Sequence, residues 1–285
     1  QDPGKDPDPG KPAEEKILKF GLTSFDGIFN PIMSDNVYDA YVSDLVFEQL
    51  VVANAEGEYV GKLATFELSE DKHTYTFTLK DGIKFSDGSD LTTEDVEFTY
   101  KAIADPLYTG PRSYAVSNLL GYDDFRAGKT KEFPGIKVID SKTIAFTFKK
   151  DLAAPANIEC FVYGIMSKKY YSFTTWEEFQ AKLDKPLGSG PLVLEDWAPA
   201  EFVKLKKNDK YWNAGNHIKI DGVLMQNVPE DTLIAALKDG TIDLAQPAAK
   251  KDNVDAIKAL DNVTLQSYLG NGYTFLAFNT TRKTL

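Results

Sequence analysis

Hydrophobic and polar residues alternate strictly in two short stretches of the chain. In HTYTFTL (73–79) large side chains occupy every second position and threonines lie between them, and KTIAFTFK (142–149) repeats the pattern. A period of two is typical of antiparallel β-strands with one buried face. The sequence therefore predicts an antiparallel sheet in the middle of the chain.

Other stretches show the helical period. VYDAYVSDLVFEQLVV (37–52) places apolar residues at helical spacing along its length and predicts one helix. LTTEDVEFTYKAI (91–103) predicts a second helix, which begins at a capping box of Thr92 and Asp95. TTWEEFQAKL (174–183) predicts a third, with Thr174 and Glu177 as its box.

The last third of the chain alternates strand and helix patterns. EFVKLKK (201–207), IDGVLMQNV (220–228) and TIDLAQ (241–246) are typical of strands. Helical patterns lie at 229–240, where Gly240 predicts the end of the helix, and at 251–260. Strand–helix–strand alternation predicts an α/β core with some parallel pairing, distinct from the antiparallel middle layer.

Composition and charge limit the classes of function that the chain could have. The 285 residues carry a formal net charge of −11, which argues against nucleic acid as a partner. Two histidines and one cysteine give no metal-ligand spacing, and LGSGP (187–191) is not a nucleophile elbow. The lone Cys160 lies in an apolar run and is expected to be buried. We expect no catalytic residues, no metal site and no cofactor.

The N-terminal residues QDPGKDPDPGKPAEEK alternate proline, glycine and charge. Such a composition cannot bury apolar surface, and we expect residues 1–15 to form a flexible tether. No apolar run in the sequence approaches the roughly 20 residues that a membrane span needs.

The helix predicted at 91–103 belongs to a longer motif, KFSDGSDLTTEDVEFTYKAI (84–103). This motif resembles the signature of family 5 extracellular solute-binding proteins, which are the oligopeptide-, dipeptide- and nickel-binding components of ABC importers. PLGSGPLVLEDWAPAEFVKLKKNDKYWN (186–213) and YTFLAFNTTRKTL (273–285) resemble further segments of the family. Ser189 stands where the family usually has threonine, and Leu192 where it usually has tyrosine.

The resemblance implies one lobe of a two-lobed fold, with the second lobe missing from this chain. The expected fold class is α/β: a periplasmic-binding-protein-like lobe with a mixed sheet and an inserted α+β peripheral subdomain. We expect the core lobe at 16–40 and 185–270, the inserted subdomain at 41–184, and a truncated strand that crosses between the lobes at 271–285.

The resemblance also implies the function: capture of an oligopeptide or dipeptide between two lobes, and delivery to ABC permease subunits in the membrane. A monomer is expected, held at the cell surface by a lipid anchor on a removed N-terminal segment, or free in the periplasm. Ligand contacts are expected on the loop after the first strand, on the 188–190 loop, after the strand near 245 and on the crossing strand. The candidates are Phe25, Asp26, Phe29, Asn30, Gly188, Ser189, Gly190, Gln246, Tyr268, Asn271, Tyr273 and Phe275.

Three alternatives remain open at this point. The same scaffold binds other solutes in this family, such as a nickel chelate, an oligosaccharide or a signalling peptide. A hydrolase that acts on peptides or sugars and a surface chaperone with an open apolar groove are the other two. Turnover by the full-length protein would identify the hydrolase, and binding of unfolded chains of any length would identify the chaperone.

Overall fold

A computed structural model describes residues 15–150, 154–213, 215 and 218–267. Its strands are β1 (Ile17–Leu22), β2 (Val51–Ala53), β3 (Tyr59–Gly61), β4 (Ala64–Leu68), β5 (Thr74–Leu79), β6 (Ile136–Val138), β7 (Thr143–Thr147), β8 (Leu192–Ala198), β9 (Phe202–Lys207), β10 (Gly222–Asn227) and β11 (Leu244–Ala245). Its helices are α1 (Val37–Val46), α2 (Thr93–Ala104), α3 (Tyr114–Ser117), α4 (Tyr122–Arg126), α5 (Lys168–Tyr171), α6 (Trp176–Gln180), α7 (Leu233–Lys238) and α8 (Lys251–Lys258), with a 3-10 helix at Ala154–Phe161.

A five-stranded mixed sheet joins the beginning of the chain to its last third. The strand order is β11-β1-β10-β9-β8. β1 runs parallel to both of its neighbours, with Ile17 opposite Gly222 and Phe20 opposite Leu244, while β9 runs antiparallel to β10 and β8. The predicted α/β class with a mixed sheet is thus confirmed.

A four-stranded antiparallel sheet, in the order β4-β5-β7-β6, lies within the chain between β1 and β8. The alternation in β5 gives the strand one buried face, as predicted. Tyr75, Phe77 and Leu79 are buried, while the threonines between them are not. β2 and β3 form a separate antiparallel pair.

Aromatic side chains fill the space between the four-stranded sheet and α2. Phe77, Tyr100, Phe146 and Phe161 are buried, and their ring centres lie 4.6–5.8 Å apart in the contacting pairs. We call these four residues the aromatic core. They belong to a single hydrophobic cluster that extends to both sheets, whereas α7 covers a smaller cluster of its own. Cys160 is buried beside the aromatic core, as predicted.

The helix boundaries confirm one predicted cap and correct two other predictions. α2 begins at the predicted box, where Asp95 accepts a hydrogen bond from the backbone N–H of Thr92 at 2.8 Å. The box of α6 is Thr175 with Glu178, one residue later than predicted. α1 ends at Val46 instead of continuing to residue 52, because the next residues turn extended and Val51 enters β2.

The predicted division into domains stays a prediction. Its boundary between residues 40 and 41 falls inside α1, which spans Val37–Val46, so a division at this point of the chain would have to lie before or after that helix. Residues 1–14 of the expected tether and the crossing strand at 271–285 lie outside the described residues.

Candidate functional site

Three parallel strands end at the same edge of the five-stranded sheet. β1 leads into the 23–30 loop, and β11 leads directly into Gln246. In open α/β sheets, ligands bind in the crevice outside the carboxyl ends of the strands. Both Asp26 and Gln246 are exposed at this edge, which makes it the candidate site.

Half-exposed aromatic rings gather at this edge. The Tyr41 ring stacks on Phe20 with a centroid distance of 5.9 Å, and the Tyr38 ring meets it edge-on at 6.3 Å. The hydroxyl of Tyr41 donates a hydrogen bond to Oε1 of Gln246 at 2.6 Å. We call these four residues the Tyr41 cluster. Partly exposed rings with polar groups beside them are the usual lining of sites for organic ligands.

A buried carboxylate on α1 fixes the loop that follows β1. The carboxylate of Asp39 accepts hydrogen bonds from the backbone N–H groups of Asp26 at 3.1 Å and Ile28 at 3.0 Å. Burial raises the pKa of Asp39 above its usual range, although these hydrogen bonds oppose the shift. Asn36, the N-cap of α1, donates from its side chain to Asp26 at 2.9 Å. The loop is therefore tied to the helix that carries Tyr38 and Tyr41.

The segment before α1 is held from the other side by Arg112. Its guanidinium donates to the carbonyl of Ser34 at 2.7 Å and lies 5.4 Å from the centre of the Tyr163 ring. Tyr108 donates to the carbonyl of Ile32 at 2.6 Å, and burial raises the pKa of its hydroxyl to about 12. Tyr108 is thus a structural residue and is not available to a ligand.

The structure places most residues of the predicted first-loop site inside the fold. Phe25 and Phe29 are buried, and the Phe29 ring meets Trp197 edge-on at 5.2 Å. Asn30 is buried, and its side-chain oxygen accepts from the backbone N–H of Ile32. Asp26 alone among the four candidates of this loop is exposed. Packing accounts for the other three, so their position gives no support to the prediction that they contact ligand.

The 188–190 loop is also packed inside the fold. A β-carbon on Gly188 would lie 2.2 Å from the carbonyl oxygen of Val46, and one on Gly190 would lie 2.5 Å from that of Leu45. The backbone N–H of Gly190 donates to Val46 at 2.7 Å. Ser189 is fully buried, and its hydroxyl has no hydrogen-bond partner among the described residues. The glycines let this loop approach the end of α1, a structural requirement that explains them without a ligand.

The structure thus brings together two of the predicted site residues, Asp26 and Gln246, at one edge. Tyr268, Asn271, Tyr273 and Phe275 lie outside the described residues. Sequence reasoning missed Phe20, Tyr38 and Tyr41. The sequence contained a signal for Tyr38 and Tyr41, because two tyrosines three residues apart in a predicted helix lie on the same helix face.

The NDKYW turn (208–212) is held in place by hydrogen bonds to a buried glutamate. Glu48 is buried, and its carboxylate accepts from the Tyr211 hydroxyl at 2.5 Å and from the Trp212 indole at 2.6 Å. Lys62 lies 3.3 Å from the same carboxylate and supplies the opposite charge. Burial, together with the bond to Glu48, raises the pKa of Tyr211 well above its usual range. This turn is therefore part of the framework.

Within the part of the chain that the structure describes, no group of three or more side chains could hold a metal ion. No helix among the described residues is long and apolar enough to cross a membrane.

Comparison with known proteins identifies the family. The model for bacterial extracellular solute-binding proteins, family 5 Middle, matches residues 58–285. The chain belongs to this family. It is 26% identical over 278 residues to the oligopeptide-binding protein OppA of Bacillus subtilis, a match that covers 84% of this chain and 49% of OppA.

Solved structures share the fold. Lactococcal OppA complexed with an endogenous peptide in the closed conformation aligns with a TM-score of 0.75 at 24% identity, over 86% of this chain and 48% of that one. NikZ from Campylobacter jejuni in complex with Ni(L-His) aligns with a TM-score of 0.72 at 20% identity, over 87% and 46%. The chain therefore spans about half the length of the relatives it matches.

Proposed function

We propose that this protein is the substrate-binding component of an ABC importer, that it captures extracellular peptides between two lobes, and that it delivers them to a membrane permease. Membership of the solute-binding family supports the class. The Tyr41 cluster at the carboxyl edge of the five-stranded sheet carries the assignment of the binding surface.

The chemistry of this surface suits a peptide. The rings of Phe20 and Tyr41 offer broad apolar contact, and Gln246 and Asp26 offer polar groups next to them. Residues of the second lobe would cover the other face of the ligand, and closure would be favoured by contacts made only in the closed form. The protein binds its ligand without changing it chemically, as a monomer. It lies outside the cell, either in the periplasm or anchored at the surface by a lipid on a removed N-terminal segment.

Calorimetry with peptides of two to nine residues tests the proposal on the full-length protein. We expect micromolar binding, and about tenfold weaker binding by Tyr41→Ala, because the variant removes the stacked ring and the bond to Gln246. Tyr59→Ala, at a half-buried tyrosine on β3, is the matched control and should bind as the wild type does. Ni(L-His) belongs in the same titration, since NikZ shares the fold. Binding of the nickel chelate without binding of any peptide would contradict the proposal.

A further inference from the structure

A second group of partly exposed aromatic rings lies between β5 and β8 in the chain. Tyr114, the first residue of α3, is 49% exposed. The half-buried Tyr163 ring meets it edge-on, with a centroid distance of 6.3 Å. The guanidinium of Arg112 lies 5.4 Å from the centre of the Tyr163 ring. We call these three residues the Tyr114 cluster.

The Tyr114 ring is held in place although it is partly exposed. The hydroxyl groups of Tyr114 and Tyr163 are hydrogen-bonded to each other. Two residues before Tyr114, the backbone N–H of Arg112 donates to the hydroxyl of the buried Tyr108 at 2.9 Å. An aromatic ring that is fixed before binding loses little conformational entropy when a ligand packs against it.

The Tyr114 cluster flanks α1 from one end to the other. Before the helix, the guanidinium of Arg112 donates to the carbonyl of Ser34 at 2.7 Å. After the helix, the backbone N–H of Ile165 donates to the carbonyl of Glu48 at 2.9 Å, and this holds the segment that carries Tyr163. The cluster is therefore fixed to the helix that also carries Tyr41.

The outward side of α1 connects the two groups of rings. The buried residues of the helix lie on its inner side and are Asp39, Val42, Ser43 and Val46. Val37, Tyr41 and Asp44 share the other side, because residues three and four apart are neighbours on a helix. Val37 is 53% exposed there. Burial raises the pKa of Asp44 and the charge of Arg112 opposes this shift, so the guanidinium acts on a residue one turn from Tyr41. The Tyr41 cluster and the Tyr114 cluster thus border the same surface of α1.

We propose that Tyr114 is a further ligand-contacting residue, and that its ring makes the binding surface selective for longer peptides. This role rests on the proposed function, in which a peptide binds at the Tyr41 cluster. An extended peptide rises about 3.3 Å per residue, so a ligand bound at Tyr41 needs about five residues to reach past Asp44 to Tyr114. A dipeptide or tripeptide contacts the Tyr41 cluster alone. Tyr163 and Arg112 position the ring of Tyr114.

Calorimetry on the full-length protein with two peptides tests this role. The probes are the tripeptide Ala-Phe-Ala and the heptapeptide Ala-Phe-Ala-Ala-Phe-Ala-Ala. We expect the wild type to bind the heptapeptide more tightly. Tyr114→Ala should weaken the heptapeptide about fivefold, because it removes one aromatic contact, and should leave the affinity for the tripeptide unchanged.

Three further variants locate the effect. Tyr114→Phe keeps the ring and loses the bond to Tyr163, and it should bind the heptapeptide within about twofold of the wild type. Tyr41→Ala should weaken both peptides. Tyr59→Ala, at a half-buried tyrosine on β3, is the matched control and should bind both peptides as the wild type does.

The results separate this role from the proposed function. Unchanged heptapeptide affinity in Tyr114→Ala, together with weaker binding in Tyr41→Ala, would overturn the role of Tyr114 and leave the proposed function standing. Equal weakening of the two peptides by Tyr114→Ala would overturn the selectivity for length, and so would equal affinities of the wild type for both. If the wild type binds neither peptide, the proposed function and the role of Tyr114 are both wrong.

Discussion

The aromatic core and the three rings of the Tyr41 cluster are built from the same residue types and have different surroundings. Phe77, Tyr100, Phe146 and Phe161 are at most 1% exposed and hold the four-stranded sheet against α2. Phe20 and Tyr41 also stack, with their ring centres 5.9 Å apart, but both are only half-buried and lie beside the carboxyl ends of strands in the other sheet. Aromatic content alone therefore does not identify a binding surface, and our proposal of one at the Tyr41 cluster rests on the carboxyl ends of the parallel strands and on the partial exposure of the rings.

The largest expected effect is a loss of stability, and it differs between a variant of the aromatic core and a variant of the Tyr41 cluster. Phe161→Ala should lower the free energy of unfolding by about 3–5 kcal/mol, because its ring contacts Phe77, Tyr100 and Phe146 and leaves a cavity that the surroundings cannot refill. Urea denaturation followed by circular dichroism measures this. Phe20→Ala is the matched comparison, with an expected cost of about 1 kcal/mol. Equal costs for the two variants would remove the distinction between the clusters.

The second prediction assigns the 188–190 loop to the buried framework. Gly188→Ala should cost about 2 kcal/mol, because its methyl group would collide with the backbone of Val46 at the end of α1. Gly215→Ala is the control, since the nearest atom there is 3.8 Å away. Denaturation midpoints measure both. A Gly188→Ala protein with unchanged stability and impaired peptide binding would instead return this loop to the binding site.

The third prediction concerns the start of α2, which carries Tyr100 into the aromatic core. Thr92→Ala should cost about 1 kcal/mol, because it removes a side-chain acceptor for the first backbone N–H groups of the helix. Thr174→Ala is the control, because the cap of α6 is Thr175 and not Thr174. If Thr174→Ala is as costly as Thr92→Ala, the assignment of the second cap is wrong.

The caps and strands show what the sequence could predict. The alternation in β5 and the box at Thr92 are local patterns, and both were predicted correctly. At α6 the paired threonines and paired glutamates fit the box spacing in two registers, and only the surrounding structure decides between them. The end of α1 was missed because the apolar residues after Val46 are buried by strand pairing, which a single chain segment does not reveal.

The site was less predictable than the fold for a related reason. Asp26 and Gln246 were predicted as ligand contacts because both follow strands of the core, and strand ends can be read from sequence; their contact with a ligand stays a prediction. The burial of Phe29 and Ser189 depends on Trp197 and on the end of α1, which are distant in the chain. The contact of Tyr41 with Gln246 joins residues 205 positions apart in the chain and exists only in the folded protein.

The smallest expected effect concerns Asp39, the buried carboxylate beneath the loop that carries Asp26. Burial raises its pKa in the folded protein above the ordinary value of 3.8, so the folded state binds more protons than the unfolded state in the window between the two values. The free energy of unfolding therefore gains a contribution from Asp39 as the pH falls through this window, and loses it as the pH rises. As the pH falls from 7 to 4, the stability of the wild type should rise relative to that of Asp39→Asn, as measured by urea denaturation at each pH.

Asp35→Asn, at a neighbouring exposed position, is the matched control for the change of charge. A shift in the opposite direction would mean that the hydrogen bonds from Asp26 and Ile28 outweigh burial, and that the loop at the Tyr41 cluster is held by the charged form of Asp39.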